Sequence, residues 1–257
     1  MAESIVRLEV ADGVATLTLD APPLNVFDTP MRQALEDASH RLRHDEDVRA
    51  VVLYGGERCF AAGADVEQLA QMDFETVVHW NRQLQETFTS FSSLPMPVVA
   101  AVNGYALGGG FELALAADYR IAGDNAAIGL PEVLLGIMPG AGGTQRLTRI
   151  VGASRAKELL MSGRRVGPME ALELRLVDEV VPSGETLAHA QEYAVRLARG
   201  PRYAIEAIKE AVDNATPRPE AGLTLERALI SGLFATRDKE TGLESFLRSG
   251  PGKADFG

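Results

Sequence analysis

Residues 97–118 constrain the fold of this chain more than any other stretch. They read Pro-Val-Val-Ala-Ala-Val, then Asn-Gly-Tyr-Ala-Leu, then three glycines at 108–110, then Phe-Glu-Leu-Ala-Leu-Ala-Ala-Asp. A continuous β-branched run, a turn-rich break and an Ala/Leu-rich run make a strand, a loop and a helix that are apolar on all sides, so both elements belong in a core. One residue contradicts that setting. Glu112 stands alone in the apolar helix, where desolvation disfavours a charged carboxylate and something must offset its burial.

A second run, residues 128–139, repeats the anomaly: Glu132 stands among aliphatic residues directly after Pro131. Each acid alone has a structural explanation, a buried ion pair or hydrogen bonds to backbone. Two of them suit proton transfer on a carbon skeleton, which needs one group to take a proton and another to give it.

The glycines add backbone donors. Gly108, Gly109 and Gly110 lie where the helix begins, so their amides are among its unpaired N–H groups and face the positive end of its dipole. Upstream, Asp65 followed by Gln68 reads as a capping box that starts a helix, which places the Ala64 amide beside another positive end and makes Asp65 a cap. Two such donors converging on one oxygen form an oxyanion hole, worth roughly 3 to 4 kcal/mol per donor, and predict an enolate-like intermediate.

The motifs Phe60-Ala61-Ala62-Gly63-Ala64-Asp65, residues 101–114 and residues 131–147 together resemble the crotonase, or enoyl-CoA hydratase/isomerase, superfamily in order and spacing, and the likeness spans nearly the whole chain. The resemblance implies a spiral of ββα units over residues 1–195, carrying the active site, and a C-terminal helical oligomerisation region over 196–257. It implies oxyanion-hole amides on Ala64 and Gly109 and catalytic glutamates at Glu112 and Glu132, whose spacing of twenty residues is that of hydratases. In such enzymes Glu112 would activate a water for attack at Cβ and Glu132 would deliver a proton to Cα. Coenzyme A contacts are expected from Arg58, Ala62, Ala64 and Asp65. The substrate would be an acyl-CoA, with no cofactor and no metal, and the assembly a homotrimer or a hexamer of two stacked trimers. Two departures concern the phosphates of coenzyme A: the family's lysine position holds Glu67, and its Lys-Arg pair after Phe246 is replaced by Ser249 and Gly250, leaving Arg248 or Lys253 as substitutes. The acyl pocket is expected from loops such as 71–73 and from the C-terminal helices.

The remaining signals bound this reading. A formal net charge of −11 argues against nucleic acid or an anionic membrane surface as partner, and it requires a local basic patch to meet an anionic coenzyme. No apolar run approaches a membrane span, and the N-terminus reads as a strand instead of a signal peptide. Cys59 is the only cysteine, so no internal disulfide can form and a reducing cytoplasm fits best; the thiol reads as a small buried hydrophobe. His40, His44, His79 and His189 lie in polar helical stretches and read as solvated. There is no Gly-x-Ser-x-Gly elbow, no P-loop lysine in residues 140–144, no dinucleotide fingerprint in 104–110 and no metal-ligand cluster.

Pattern and turn signals predict hairpin strands at 5–10 and 14–19 across Asp12-Gly13, a helix over 29–44, a strand at 50–54, a helix from Val66, a long amphipathic helix over 74–91, and strands at 98–102 and 119–122. Beyond about residue 182 they predict helices only, at 187–198, 203–212 and 221–234. Three functions remain open: an enoyl-CoA hydratase, another acyl-CoA activity such as double-bond isomerisation, and a non-catalytic acyl-CoA binding protein. In the first two, a valine at Gly109 is expected to occupy the place of the thioester oxygen with little loss of stability.

Overall fold

The computed structural model describes residues 5–213, 219–251, 253 and 254. A six-stranded sheet has the order β1 (Val6–Ala11), β2 (Val14–Leu19), β3 (Ala50–Tyr54), β5 (Val98–Val102), β7 (Tyr119–Gly123), β9 (Glu179–Val181). Only β1 and β2 pair antiparallel; the other neighbours are parallel. A smaller parallel sheet of β4 (Cys59–Ala61), β6 (Tyr105–Leu107) and β8 (Ala127–Gly129) stands apart from it.

The chain alternates between these sheets. Each of β3, β5 and β7 is followed within a few residues by its short partner β4, β6 or β8, and only then by helix. These are successive turns of a ββα spiral. After β4 come α2 (Val66–Gln71) and α3 (Phe74–Ser92); after β6 comes α4 (Gly109–Ala114); after β8 come a 3-10 turn (Glu132–Leu135) and α5 (Gly143–Ser162). The predicted strands at 50–54 and 98–102 match the observed ones.

Burial follows the sequence pattern. All of β5 is buried, as its unbroken apolar run requires, and so is all of α4. On β5, Val98, Ala100 and Val102 face the main core, while Val99 and Ala101 face α7 (Thr186–Ala198), which covers the outer face with Ala190, Ala194 and Ala198. Small residues on that helix let it lie close across β2, β3, β5 and β7. On the opposite flank α1 (Thr29–His44), capped by Asp28 at the Met31 amide, packs on α3.

The segment beyond Pro182 is helical as expected, with α8 (Arg202–Asp213) and α9 (Pro219–Leu233) following α7. The breaker at 217–219 falls partly outside the described residues. The additions to the pattern reading in the second half of the chain include α6 (Pro168–Glu173), strand β9 and α10 (Arg237–Ser249). α10 packs on α2 and on the 3-10 turn that bears Glu132. Contact there is backbone to backbone, because a Cβ on Gly242 would fall 2.2 Å from the Leu135 carbonyl carbon.

Candidate active site

The three short strands of the small sheet end at one place. Ala64 follows β4, Gly108 and Gly109 follow β6, and Glu132 follows β8, so one face of the site is assembled from corresponding points of successive turns. Parallel strands present such a crevice at their carboxyl ends.

Asp65 caps α2 as predicted, its Oδ1 accepting from the Glu67 and Gln68 amides at 2.9 and 3.2 Å. The reciprocal half of the capping box is not made: the Gln68 side chain donates to Thr29 Oγ1 at 3.4 Å instead. Gly63 has φ +98°, and a Cβ there would approach the Leu107 carbonyl at 3.0 Å and the Gly109 nitrogen at 3.4 Å. The loop bearing Ala64 thus lies directly against the start of α4. Gly108 turns the chain into α4 with φ 53° and ψ −127°, a conformation that favours glycine. Gly110 packs on β4, where a Cβ would lie 2.0 Å from the Ala61 carbonyl oxygen. Among the described residues, no acceptor is assigned to the Ala64 or the Gly109 amide.

Glu112, 2% exposed, lies in α4 with both amides beside it in the lining of one cavity. Its burial is offset by backbone. Oε1 accepts from the Ala141 amide and from the Gly143 amide, both at 2.8 Å. Gly143 is the first residue of α5, and its cap Gly142 supplies no side-chain bond, so the carboxylate occupies the anion site of a helix N-terminus. The loop that makes this cradle is itself tied: Asn81 Nδ2 donates to the Gly140 carbonyl at 3.0 Å, and Arg146 Nη1 to the Ala141 carbonyl at 2.9 Å. The sequence assigns residues 140–144 to a family-like motif and excludes a P-loop there, but does not show this cradle. The available signal was a glycine run opening a helix with no capping side chain.

Glu132 differs from Glu112 in setting. It opens the 3-10 turn, is half-buried and lines the same cavity, and its Oε1 lies 3.0 Å from where a Cβ on Gly108 would stand. The two acids and the two amides therefore meet in one space of about 390 Å³.

The rest of the wall differs from expectation. Residues 71–73 do not line it; Trp80, Asn81 and Leu84 of α3 do, with Ile230 of α9, Phe246 of α10 and Pro251 beyond it. Ala62, Ala64, Tyr105 and Arg165 line it as well, whereas Arg58 and Asp65 do not. Gly109 also corrects an expectation. A Cβ there would meet the Phe27 ring at 3.2 Å, so a valine would push on the core. Among the described residues, no group of three His, Cys, Asp or Glu side chains could hold a metal ion, and no helix is long and apolar enough to cross a membrane.

A family model described as enoyl-CoA hydratase/isomerase matches residues 9–255. A 2,3-dehydroadipyl-CoA hydratase of Escherichia coli (strain K12) is 40% identical over 251 residues, 96% of each chain. Among solved structures, an enoyl-CoA hydratase from Bacillus anthracis superposes with a TM-score of 0.80 at 38% identity, covering 95% of this chain and 96% of that one. Pseudomonas aeruginosa DspI gives a TM-score of 0.81 at 36% identity, covering 91% of this chain and 99% of that one.

Proposed function

Because this chain belongs to the enoyl-CoA hydratase/isomerase family, we propose that it is a hydro-lyase adding water to a trans-2-enoyl-CoA to give the 3-hydroxyacyl-CoA. One observation carries the reading: both carboxylates and both amide donors line the same cavity.

In this mechanism the thioester carbonyl oxygen enters between the amides of Ala64 and Gly109. Their N–H groups stabilise the enolate that forms when water attacks Cβ, at roughly 3 to 4 kcal/mol per donor. Glu112, its position set by the Ala141 and Gly143 amides, takes a proton from the attacking water. Glu132 gives a proton to Cα as the enolate collapses. One proton enters Glu112 and one leaves Glu132, so the sum is addition of H and OH, and exchange with solvent resets the pair. The thioester is the substrate, and no further cofactor takes part in this scheme.

Assembly as a homotrimer or a hexamer in the cytoplasm belongs to the same reading. It is supported by α8, which exposes Tyr203, Ile208 and Val212 at 80%, 62% and 66%.

The test is loss of the conjugated enoyl-thioester absorbance with crotonyl-CoA and longer trans-2-enoyl-CoAs, with Glu132→Gln as control. Loss that depends on Glu132 and yields a 3-hydroxyacyl-CoA by mass is the expected result. A fully active Glu132→Gln protein sinks the mechanism. Deuterium uptake from solvent without net hydration transfers the assignment to isomerisation, and thioester binding without turnover to a non-catalytic role.

A further inference from the structure

The rim of the cavity holds a cation that the proposed chemistry does not use. Arg165 and Tyr105 both line the cavity, and the Arg165 guanidinium lies over the Tyr105 ring, 5.3 Å from its centroid. Both are solvent-exposed, Tyr105 at 42%, whereas the α3 wall of the same cavity is closed, with Trp80 at 8% and Asn81 at 1%. The cavity therefore has an apolar buried part and a wet cationic edge.

Arg165 is held from both sides. Its neighbour Arg164 is consumed by two carboxylates, Glu158 at 2.6 Å and Glu170 at 2.7 Å. Val166 exchanges backbone hydrogen bonds with Ile128 of β8 at 3.0 and 2.7 Å. Among the described residues, no carboxylate pairs with Arg165 itself. A guanidinium stacked on an aromatic face keeps its edge, the fork of N–H donors, available to an anion. The chain's net charge of −11 repels anions in general, so an anionic ligand needs a local cation at the point of entry. Arg58, Arg248 and Lys253 are exposed but line no part of the cavity.

We propose that Arg165, braced on Tyr105, is the phosphate-binding residue of this site and receives a phosphate group of the coenzyme A thioester. The identity of the thioester rests on the hydration reading. The same chemistry, a cluster of anionic oxygens, could be supplied by a carboxylate at the far end of an acyl chain. The closed α3 wall favours the acyl chain in the buried part and the phosphates at the rim, because phosphates stay partly hydrated there.

The experiment compares wild type with Arg165→Met, which keeps the stem and removes the charge. Free coenzyme A is titrated calorimetrically, and kinetics are measured with an enoyl-CoA and with the matching enoyl-pantetheine, which has no phosphates. Arg165→Met is expected to weaken coenzyme A binding and to raise KM for enoyl-CoA about tenfold, with kcat and the KM for enoyl-pantetheine moving less than twofold. Tyr105→Leu, which removes the brace, should give a smaller change in the same direction. Unchanged coenzyme A affinity in both variants overturns the proposal, as does equal loss with both thioesters. Loss confined to enoyl-pantetheines that end in a carboxylate also overturns it and assigns Arg165 to the acyl end. If wild type hydrates nothing, yet Arg165→Met still weakens coenzyme A binding, the phosphate site stands and the hydration reading falls.

Discussion

The Gly143 amide donates to Glu112 Oε1 at 2.8 Å, so the first N–H of α5 faces a carboxylate buried in a different helix. This contact, with its Ala141 counterpart, answers how an acid can sit at 2% exposure inside an apolar segment. The charge is compensated by fixed dipoles, without a basic side chain at these two bonds.

That arrangement separates two substitutions at one position. Glu112→Gln keeps an oxygen for the two amides but cannot act as a base, so turnover should fall by about a thousandfold, near 4 kcal/mol, while the fold survives. Glu112→Ala strands both amides in a buried place and should cost about 2 to 3 kcal/mol of stability besides. Denaturant unfolding of the two variants beside the parent measures this; equal midpoints for the pair would contradict it.

Gly109→Val should be destabilised, by about 1 to 3 kcal/mol, because its Cβ presses on Phe27. Phe27 meets Phe88 edge to face at 5.0 Å and 71°, and both rings are fully buried, so the strain has nowhere cheap to go. A loss of activity in this variant with an unchanged unfolding midpoint would mean that the new side chain points into the cavity instead.

Gly242 lies far from Glu132 in sequence and is expected to affect it. A Cβ there collides with the Leu135 backbone, so Gly242→Ala must lift α10 from the turn that carries the acid. Activity should drop about tenfold or more, chiefly in kcat, and stability by about 1 to 3 kcal/mol. Parent-like kinetics would show that the turn is fixed by β8 alone.

Burial pushes the Cys59 thiol up to about 11. At pH 8 only about one molecule in a thousand then carries the thiolate, so native protein should resist maleimide and react on unfolding. The unfolded thiol titrates at ~8.5, so the stability gained by keeping the folded thiol neutral is whole below that pH and is lost as pH rises through about 11. Rapid labelling of the folded chain at pH 8 is the contrary result.

Legibility in the sequence tracked element length and period. The helix Thr29–His44 and the strands Ala50–Tyr54 and Val98–Val102 were readable to the residue, since each has a clear apolar pattern and a cap, turn or proline at its edge. The strands β4, β6 and β8 were not, because three residues cannot display a period and their partners are distant in sequence. α5 escaped as well: Gly152, with φ 75°, kinks it midway and breaks any single apolar stripe. At the site, two lone acids and a glycine run were visible as misfits to their surroundings. The cradle around Glu112 and the cation at Arg165 were not, because each depends on a contact across the fold that local pattern does not encode.

The small sheet gives the site a ruler. Ala64, Gly109 and Glu132 hang from the ends of three hydrogen-bonded neighbours, β4, β6 and β8, so their lateral separation is tied to the spacing of paired strands, about 4.8 Å. Side-chain packing can drift by fractions of an ångström as a core is repacked, but that spacing is set by peptide geometry and does not respond to composition. The outer helices between the turns can therefore lengthen, shorten or change their apolar residues, and so remodel the cavity wall, while the strand ends from which the two amides and the acid hang keep their spacing. A chain built this way can trade substrates without rebuilding its chemistry.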